Sequence, residues 1–139
     1  MAEWTIRDYQ RQSTDSQGKS VLVNEILEWT LSQPKKAQAK IDTIILMLQA
    51  WPPPWPAQYI SSYKGRPDIL EVIIKCQGVQ YRPLGCYGLG DRVFTLLIGA
   101  VEKNGKIAVG ILDSAEGRRK KVLKEGWPTR EHEYATTAS

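Results

Sequence analysis

The stretch ILEVIIKCQGVQYRPLGCY, residues 69–87, decides the fold, because it reads as two strands reversing at Gln77-Gly78. A two-residue turn sets the register: Cys76 opposes Val79, Ile74 opposes Tyr81, Ile73 opposes Arg82 and Glu71 opposes Leu84. Side chains alternate along a strand, so Leu70, Val72, Ile74, Cys76, Val79, Tyr81 and Pro83 share one face. Glu71, Ile73, Lys75, Gln80, Arg82 and Leu84 share the other. The first face is expected in the core. The second carries an acid and two bases, which either form a solvated surface with cross-strand ion pairs or act on a ligand there.

Before the hairpin, AEWTIRDYQ (residues 2–10) alternates as a first strand, and the polar RQSTDSQGKS (11–20) reads as a loop. In VLVNEILEWTLSQ, Val23, Ile26, Leu27, Thr30 and Leu31 follow the spacing of one helical face. Pro34 restarts the chain as a second helix with Ala37, Ile41, Ile44, Ile45, Leu48 and Trp51 along one stripe, and the short break predicts an antiparallel helix pair. WPPPWP (51–56) is a stiff connector whose Trp51 and Trp55 are expected to cover the edge of the core. YKGRPD (63–68) reads as a Gly/Pro-bearing loop. After the hairpin, RVFTLLIGAV supplies a third strand, apolar on both sides and therefore central. Asn104-Gly105 is a hairpin signal, so residues 106–112 read either as a fourth strand or as the start of a helix. Asp113 and Glu116 have capping-box spacing, which places a helix over residues 114–125. Gly126 and Pro128 stop it, and residues 127–139 are expected to fray as a flexible tail beyond a single domain over residues 1–126.

The chain has 139 residues, 42% of them hydrophobic and 24% charged, which suits one folded domain rather than disorder. Its net charge of +4 is uneven: residues 1–63 hold six bases and six acids, and the remainder holds thirteen bases and nine acids. A basic second half is a footprint for a polyanion. Cys76 and Cys86 suggest no disulfide framework, in keeping with a reducing cytoplasm. The lone His132 falls in a polar tail and is expected on the solvated surface. The N-terminus has no apolar signal-peptide core, and IDTIILMLQAW is too short to span a bilayer, so no membrane association is expected.

The order strand, two helices, three antiparallel strands and a basic helix resembles the RelE/ParE toxin superfamily, and several motifs resemble its phage-related HigB-like branch. Family members read LyELR, then YRvlY, then llhgFvKK, then a helix patterned A..R. Here LEVI (70–73), YRPLG (81–85), LLIGAVEK (96–103) and SAEGRRKKVL (114–123) are similar to these in the same order. The likeness covers about residues 20–125. It implies an α+β fold in which an N-terminal strand and a two-helix hairpin pack on a small antiparallel sheet, with a basic C-terminal helix. It also favours starting that helix near Ala108.

What the resemblance implies is a cytoplasmic, metal-independent endoribonuclease acting on ribosome-associated messenger RNA, with no cofactor. A cognate helix-turn-helix antitoxin would be its partner. In such a reaction the RNA 2′-OH attacks the adjacent phosphate, so the protein must orient the backbone, stabilise the phosphorane and move two protons. Arg82 falls on the arginine of YR and Lys103 on the second lysine of KK; Lys75 lies two positions beyond Ile73, which replaces the arginine of ELR. These three are the expected catalytic cations. Lys64, Arg66, Arg118 and Arg119 are the expected RNA contacts. Ile98 stands where relatives carry histidine, and Glu102 replaces the first lysine, which leaves Glu71, Glu102, Tyr81 and Tyr87 to handle protons. Those departures keep a second reading open: a ParE-like gyrase inhibitor, or a non-catalytic protein that binds RNA or an antitoxin.

Overall fold

The computed structural model describes residues 4–138. Ala2 and Glu3 of the expected first strand, and Ser139 of the expected tail, lie outside the described residues. The strand itself is β1 (Thr5–Tyr9). The polar segment that follows is not a loop, because β2 (Arg11–Thr14) and β3 (Ser20–Val23) pair as an antiparallel ribbon. The Asp15 carboxylate closes its turn by accepting the backbone N–H groups of Gln17 and Lys19, both at 2.9 Å, a local bond that overall polarity conceals. Val23 therefore ends a strand, and α1 (Glu25–Leu31) starts after Asn24, whose side chain accepts the Leu27 N–H at 3.0 Å. In α2 (Lys35–Ala50), Ala37, Ile41, Ile44, Ile45 and Leu48 are buried along one stripe. Trp51 lies beyond it and is exposed, whereas Trp55 is buried, its indole N–H donating to the Trp51 carbonyl at 2.7 Å.

The segment expected as a loop at 63–68 is also a hairpin: Lys64-Gly65 joins β4 (Ile60–Tyr63) to β5 (Arg66–Val72). Beyond it the reversal at Gln77-Gly78 has φ of 49° and 81°, the positive values a two-residue turn requires. β6 (Ile74–Cys76) and β7 (Val79–Tyr81) pair with Cys76 facing Val79 and Ile74 facing Tyr81. Glu71 of β5 faces Leu84 of β8 (Leu84–Tyr87). Between these two pairings the hairpin parts. The Ile73 N–H turns to the Tyr59 carbonyl and the Arg82 N–H to the Ala100 carbonyl, both at 2.8 Å.

After β9 (Val93–Ile98), Asn104-Gly105 does form a tight turn, in which Lys103 and Lys106 exchange backbone hydrogen bonds at 2.9 and 3.0 Å. No strand continues from it. Instead α3 (Val109–Glu125) begins after Ala108, so Asp113 and Glu116 lie inside the helix rather than capping it. The expected flexible tail is corrected as well: β10 (Thr129–Glu131) pairs with β1, and α4 (Ala135–Ala138) packs on α2. His132 is the physical reason, because it is buried against Asp8 at 2.8 Å instead of standing in solvent.

The sheet overturns the expected architecture of a two-helix hairpin on a small antiparallel sheet. Six strands run in the order β10-β1-β9-β8-β5-β4, mostly antiparallel, with β1 parallel to β9; β2–β3 and β6–β7 are separate ribbons. The class is α+β, but both faces of the large sheet are covered. On one side α1 and α2 pack over Ile6, Leu70, Val72, Phe94 and Leu96; on the other α3 packs over Tyr9, Ile69, Leu84, Cys86 and Leu97. Leu84, assigned by alternation to a charged surface, is thus fully buried under α3. A sheet sandwiched between helices needs apolar side chains on both faces, and the charges are pushed to its rim. Among the described residues no helix is long and apolar enough to cross a membrane.

Packing between β8 and β9 leaves no space at Gly85, where an added Cβ would sit 2.6 Å from the Phe94 ring and 2.7 Å from the Thr95 carbonyl oxygen. Gly85→Ala is expected to destabilise the protein by about 1 to 3 kcal/mol, read as a lower urea midpoint at unchanged slope. An unchanged midpoint would contradict this close approach.

Candidate functional site

Arg82 is where the expected site acquires a structure. Its N–H donates to Ala100, and the Glu102 N–H donates to Gln80 at 2.9 Å, so the chain beyond β9 runs alongside β7. That pairing gathers three acceptors around the guanidinium. Nη1 donates to Glu71 Oε1 at 3.2 Å, while Nη2 donates to Gln80 Oε1 at 2.8 Å and meets Glu102 Oε2 at 3.1 Å. The Arg82, Glu71 and Glu102 side chains are only 13%, 14% and 23% exposed, so these pairs operate with most of the water removed. Among the described residues the buried Arg82 Nε has no partner.

Two carboxylates around one guanidinium leave an excess of negative charge. Burial raises the Glu71 carboxyl above its ordinary 4.5; Arg82 pulls it down, Glu102 pushes it up again, and the net direction is upward. Glu71 is thereby a better proton acceptor than a free glutamate, held next to a cation that cannot lose its proton. The same arrangement occupies Arg82, and a phosphate reaching it has to displace a carboxylate.

The other expected residues are scattered. Lys75 is exposed on β6 and borders a shallow depression with Lys40, Ile44, Tyr59 and Ile73, on the α2 side, because the β6–β7 ribbon leaves the sheet where the hairpin parts. Lys103 is exposed at the start of the Asn104-Gly105 turn, directly after Glu102. Lys64 is exposed in the β4–β5 turn, while Arg66 pairs with Asp113 at 2.8 Å and Arg119 lies 3.7 Å from Asp68. Those two pairs fasten β5 to α3. Arg118 is also internal: it meets Glu25 at 2.5 Å, donates to the Leu97 carbonyl at 2.9 Å and lies 4.7 Å over the Tyr9 ring.

What the sequence reading missed is a basic, aromatic cleft of about 350 Å³ between β1–β2 and α3, bordered by Tyr9, Arg11, Gln12, Arg118, Lys121 and Trp127. Gly126 ends α3 with φ of 65°, which lets the Trp127 N–H reach back to the Lys121 carbonyl at 3.0 Å. The Trp127 indole then donates to the Gln10 carbonyl at 2.7 Å and stacks on Tyr9 at 6.2 Å, with Lys121 Nζ 5.0 Å from its ring. Lys120, Lys121 and Lys124 are exposed and, among the described residues, have no acidic partner. The available signal was the Gly-Trp-Pro that follows the lysine run. Arg11 belongs less to the ligand side, because it pairs with Glu25 and Glu28, each at 3.0 Å.

Comparison with known protein families, curated proteins and solved structures gives no match to this chain.

The upward shift of Glu71 has a definite sign in stability. Its folded pKa exceeds the unfolded value of about 4.5, so its contribution favours the folded state at low pH and is lost as pH rises through the folded value. The stability of the native protein relative to Glu71→Gln is expected to fall as urea midpoints are followed upward from about pH 4 to about pH 7. A pH-independent difference, or one of opposite slope, would contradict the burial of this carboxylate.

Proposed function

We propose that the protein cleaves RNA without a metal ion, as the toxin of a type II toxin–antitoxin pair. The observation that carries this reading is the largely buried Glu71 side chain, with its carboxyl shifted upward, 3.2 Å from the Arg82 guanidinium. Glu71 accepts the proton of an RNA 2′-OH, and the freed oxygen attacks the neighbouring phosphorus. Arg82 exchanges a carboxylate for the phosphorane oxygens, whose growing charge it offsets. The 5′-oxygen leaves as its P–O bond breaks and takes a proton from water, giving a 2′,3′-cyclic phosphate and a 5′-hydroxyl. Lys103 adds positive charge on the turn after Glu102; Lys75, on the α2 side, takes no part.

The lysines of α3 and the Trp127 cleft suit a single-stranded backbone, which needs cations along its path and aromatic surface for bases. On this reading the setting is the cytoplasm, the substrate is ribosome-associated messenger RNA, and a helix-turn-helix antitoxin holds the protein inactive. Purified protein in the presence of a chelator is expected to cut single-stranded RNA and leave cyclic phosphate ends. Glu71→Gln and Arg82→Ala should each slow the cut by about 100-fold or more. Full-length RNA after prolonged incubation with native protein would sink the proposal.

A second reading is favoured by one specific feature, the two carboxylates already paired with the terminal nitrogens of Arg82: the protein binds RNA without cutting it. Binding is then carried by the exposed lysines. Replacing both Lys120 and Lys124 with alanine is expected to flatten the slope of log affinity against log salt by roughly 0.7 per lysine removed. RNA bound in this salt-sensitive way but left intact would select binding over cleavage.

A further inference from the structure

Ser114, Gly117, Arg118 and Lys121 fall at i, i+3, i+4 and i+7 of α3, and all four border the Trp127 cleft. A glycine inside a helix weakens it relative to alanine, so its presence asks for a reason in packing or in function. Packing supplies none at Gly117, where an added Cβ would meet nothing within 4 Å. The gap lies on the same helical face as a hydroxyl and two cations, and it lets a group from outside come close to the helix backbone.

The charge of the cleft selects an anion. Among the described residues, none that borders it is acidic. Glu25 lies outside that wall but holds two residues of it: its Oε1 is 3.0 Å from Arg11 Nε, and its Oε2 pairs with Arg118 Nη1. Arg118 is thereby fixed with only part of its fork engaged, Nη1 also donating to the Leu97 carbonyl. Its Nε and Nη2 have no hydrogen-bond partner among the described residues, yet the buried unpaired nitrogens are Arg82 Nε and His132 Nε2, so both retain accessible surface. Lys121 has no acidic partner and holds its Nζ 5.0 Å from the Trp127 ring. That half-buried ring is oriented by its bond to the Gln10 carbonyl and lies within 18° of parallel to Tyr9. A fixed indole beside cations suits a flat aromatic body joined to a phosphate, and about 350 Å³ is the small end of the range for ligand cavities. We propose that the cleft seats one nucleotide, its phosphate on Lys121 and Arg118 over the gap at Gly117 and its base against Trp127. This deepens the RNA reading above and rests on it for the polymer; a free mononucleotide offers the same contacts, so both sources are tested.

The chain has five tryptophans, and the indole N–H resonance that vanishes in Trp127→Phe identifies Trp127 in nitrogen-labelled protein. The probes, at constant ionic strength, are the four ribonucleoside 5′-monophosphates and a mixed-sequence 2′-O-methyl octanucleotide, which has no 2′-OH to attack. A saturable shift of that resonance is expected, with a Kd of about 1 mM or tighter for the best mononucleotide and at least about tenfold weaker for inorganic phosphate. Lys121→Ala should weaken binding about tenfold. Gly117→Leu, which fills the gap, should weaken it at least as much while the urea midpoint does not fall. Lys36→Ala removes the same charge from an exposed position on α2 and should leave the Kd in place. Tighter binding of the octanucleotide assigns the site to an RNA strand, and tighter binding of a mononucleotide assigns it to a free nucleotide; either supports the proposal. No saturable shift with any probe, equal affinity for inorganic phosphate, or equal effects of Lys36→Ala and Lys121→Ala would overturn it. Binding is read on ligands that cannot be cut through a 2′-OH attack within the strand, so a protein that fails to cleave RNA would still give the expected shift.

Discussion

A carboxylate that is wholly removed from water has to be paired, and Asp8 meets that demand by holding two distant parts of the chain. Asn24, which it fixes, is the residue that caps α1; His132, which it also fixes, follows directly on β10. Removing a partner from a buried charge of this kind typically costs about 3 to 5 kcal/mol, so the start of the helical layer and the end of the sheet are secured by one side chain. β1 carries Asp8 and lies between β10 and β9, and β9 in turn carries β8 and β5. The position of Arg82 and its carboxylates is thus the far consequence of a pairing made at the opposite edge.

Much of the local architecture is legible in the residues. The two-residue turn at Gln77-Gly78 dictates the register from Glu71 to Leu84, and the stripe from Ala37 to Leu48 dictates the buried face of α2. Faces are harder to read, because alternation says which side chains share a side but not what covers it. Leu84 and Glu71 share one, yet the first is fully buried under α3 and the second sits at the rim. The β2–β3 ribbon is hidden by its own polarity, since backbone bonds and an Asp15 turn, not an apolar face, hold it together. His132 is illegible for a further reason: its partner lies 124 residues away, and nothing near it in the chain announces burial.

The candidate site was partly readable for the same reasons. Arg82 and Glu71 could be placed together because hairpin pairing is local, whereas Glu102 enters only through the alignment of β7 with the chain beyond β9. Four of the six arginines in the basic second half, Arg66, Arg82, Arg118 and Arg119, pair with carboxylates of other elements, where a planar fork of donors can satisfy several acceptors at once, while Arg92 and Arg130 are exposed. Lysines 120, 121 and 124 keep their charge at the surface. Counting bases therefore overstates how many face a ligand; the arginines mostly hold elements together, and the lysines provide the field.

The parallel pairing of β1 with β9 also bears on how the molecule comes into being. The neighbours of β1 in the sheet are residues 93–98 and 129–131, so β1, synthesised before both of them, waits for distant segments before it can pair. Hairpins β4–β5 and β6–β7 close over short distances and can form early, while β9 remains with one open edge until β1 occupies it. An unpaired strand edge accepts any extended segment that reaches it, including one from another nascent chain. The layout thus makes late closure by β1 both the step that completes the sheet and the step at which crowding has its greatest leverage.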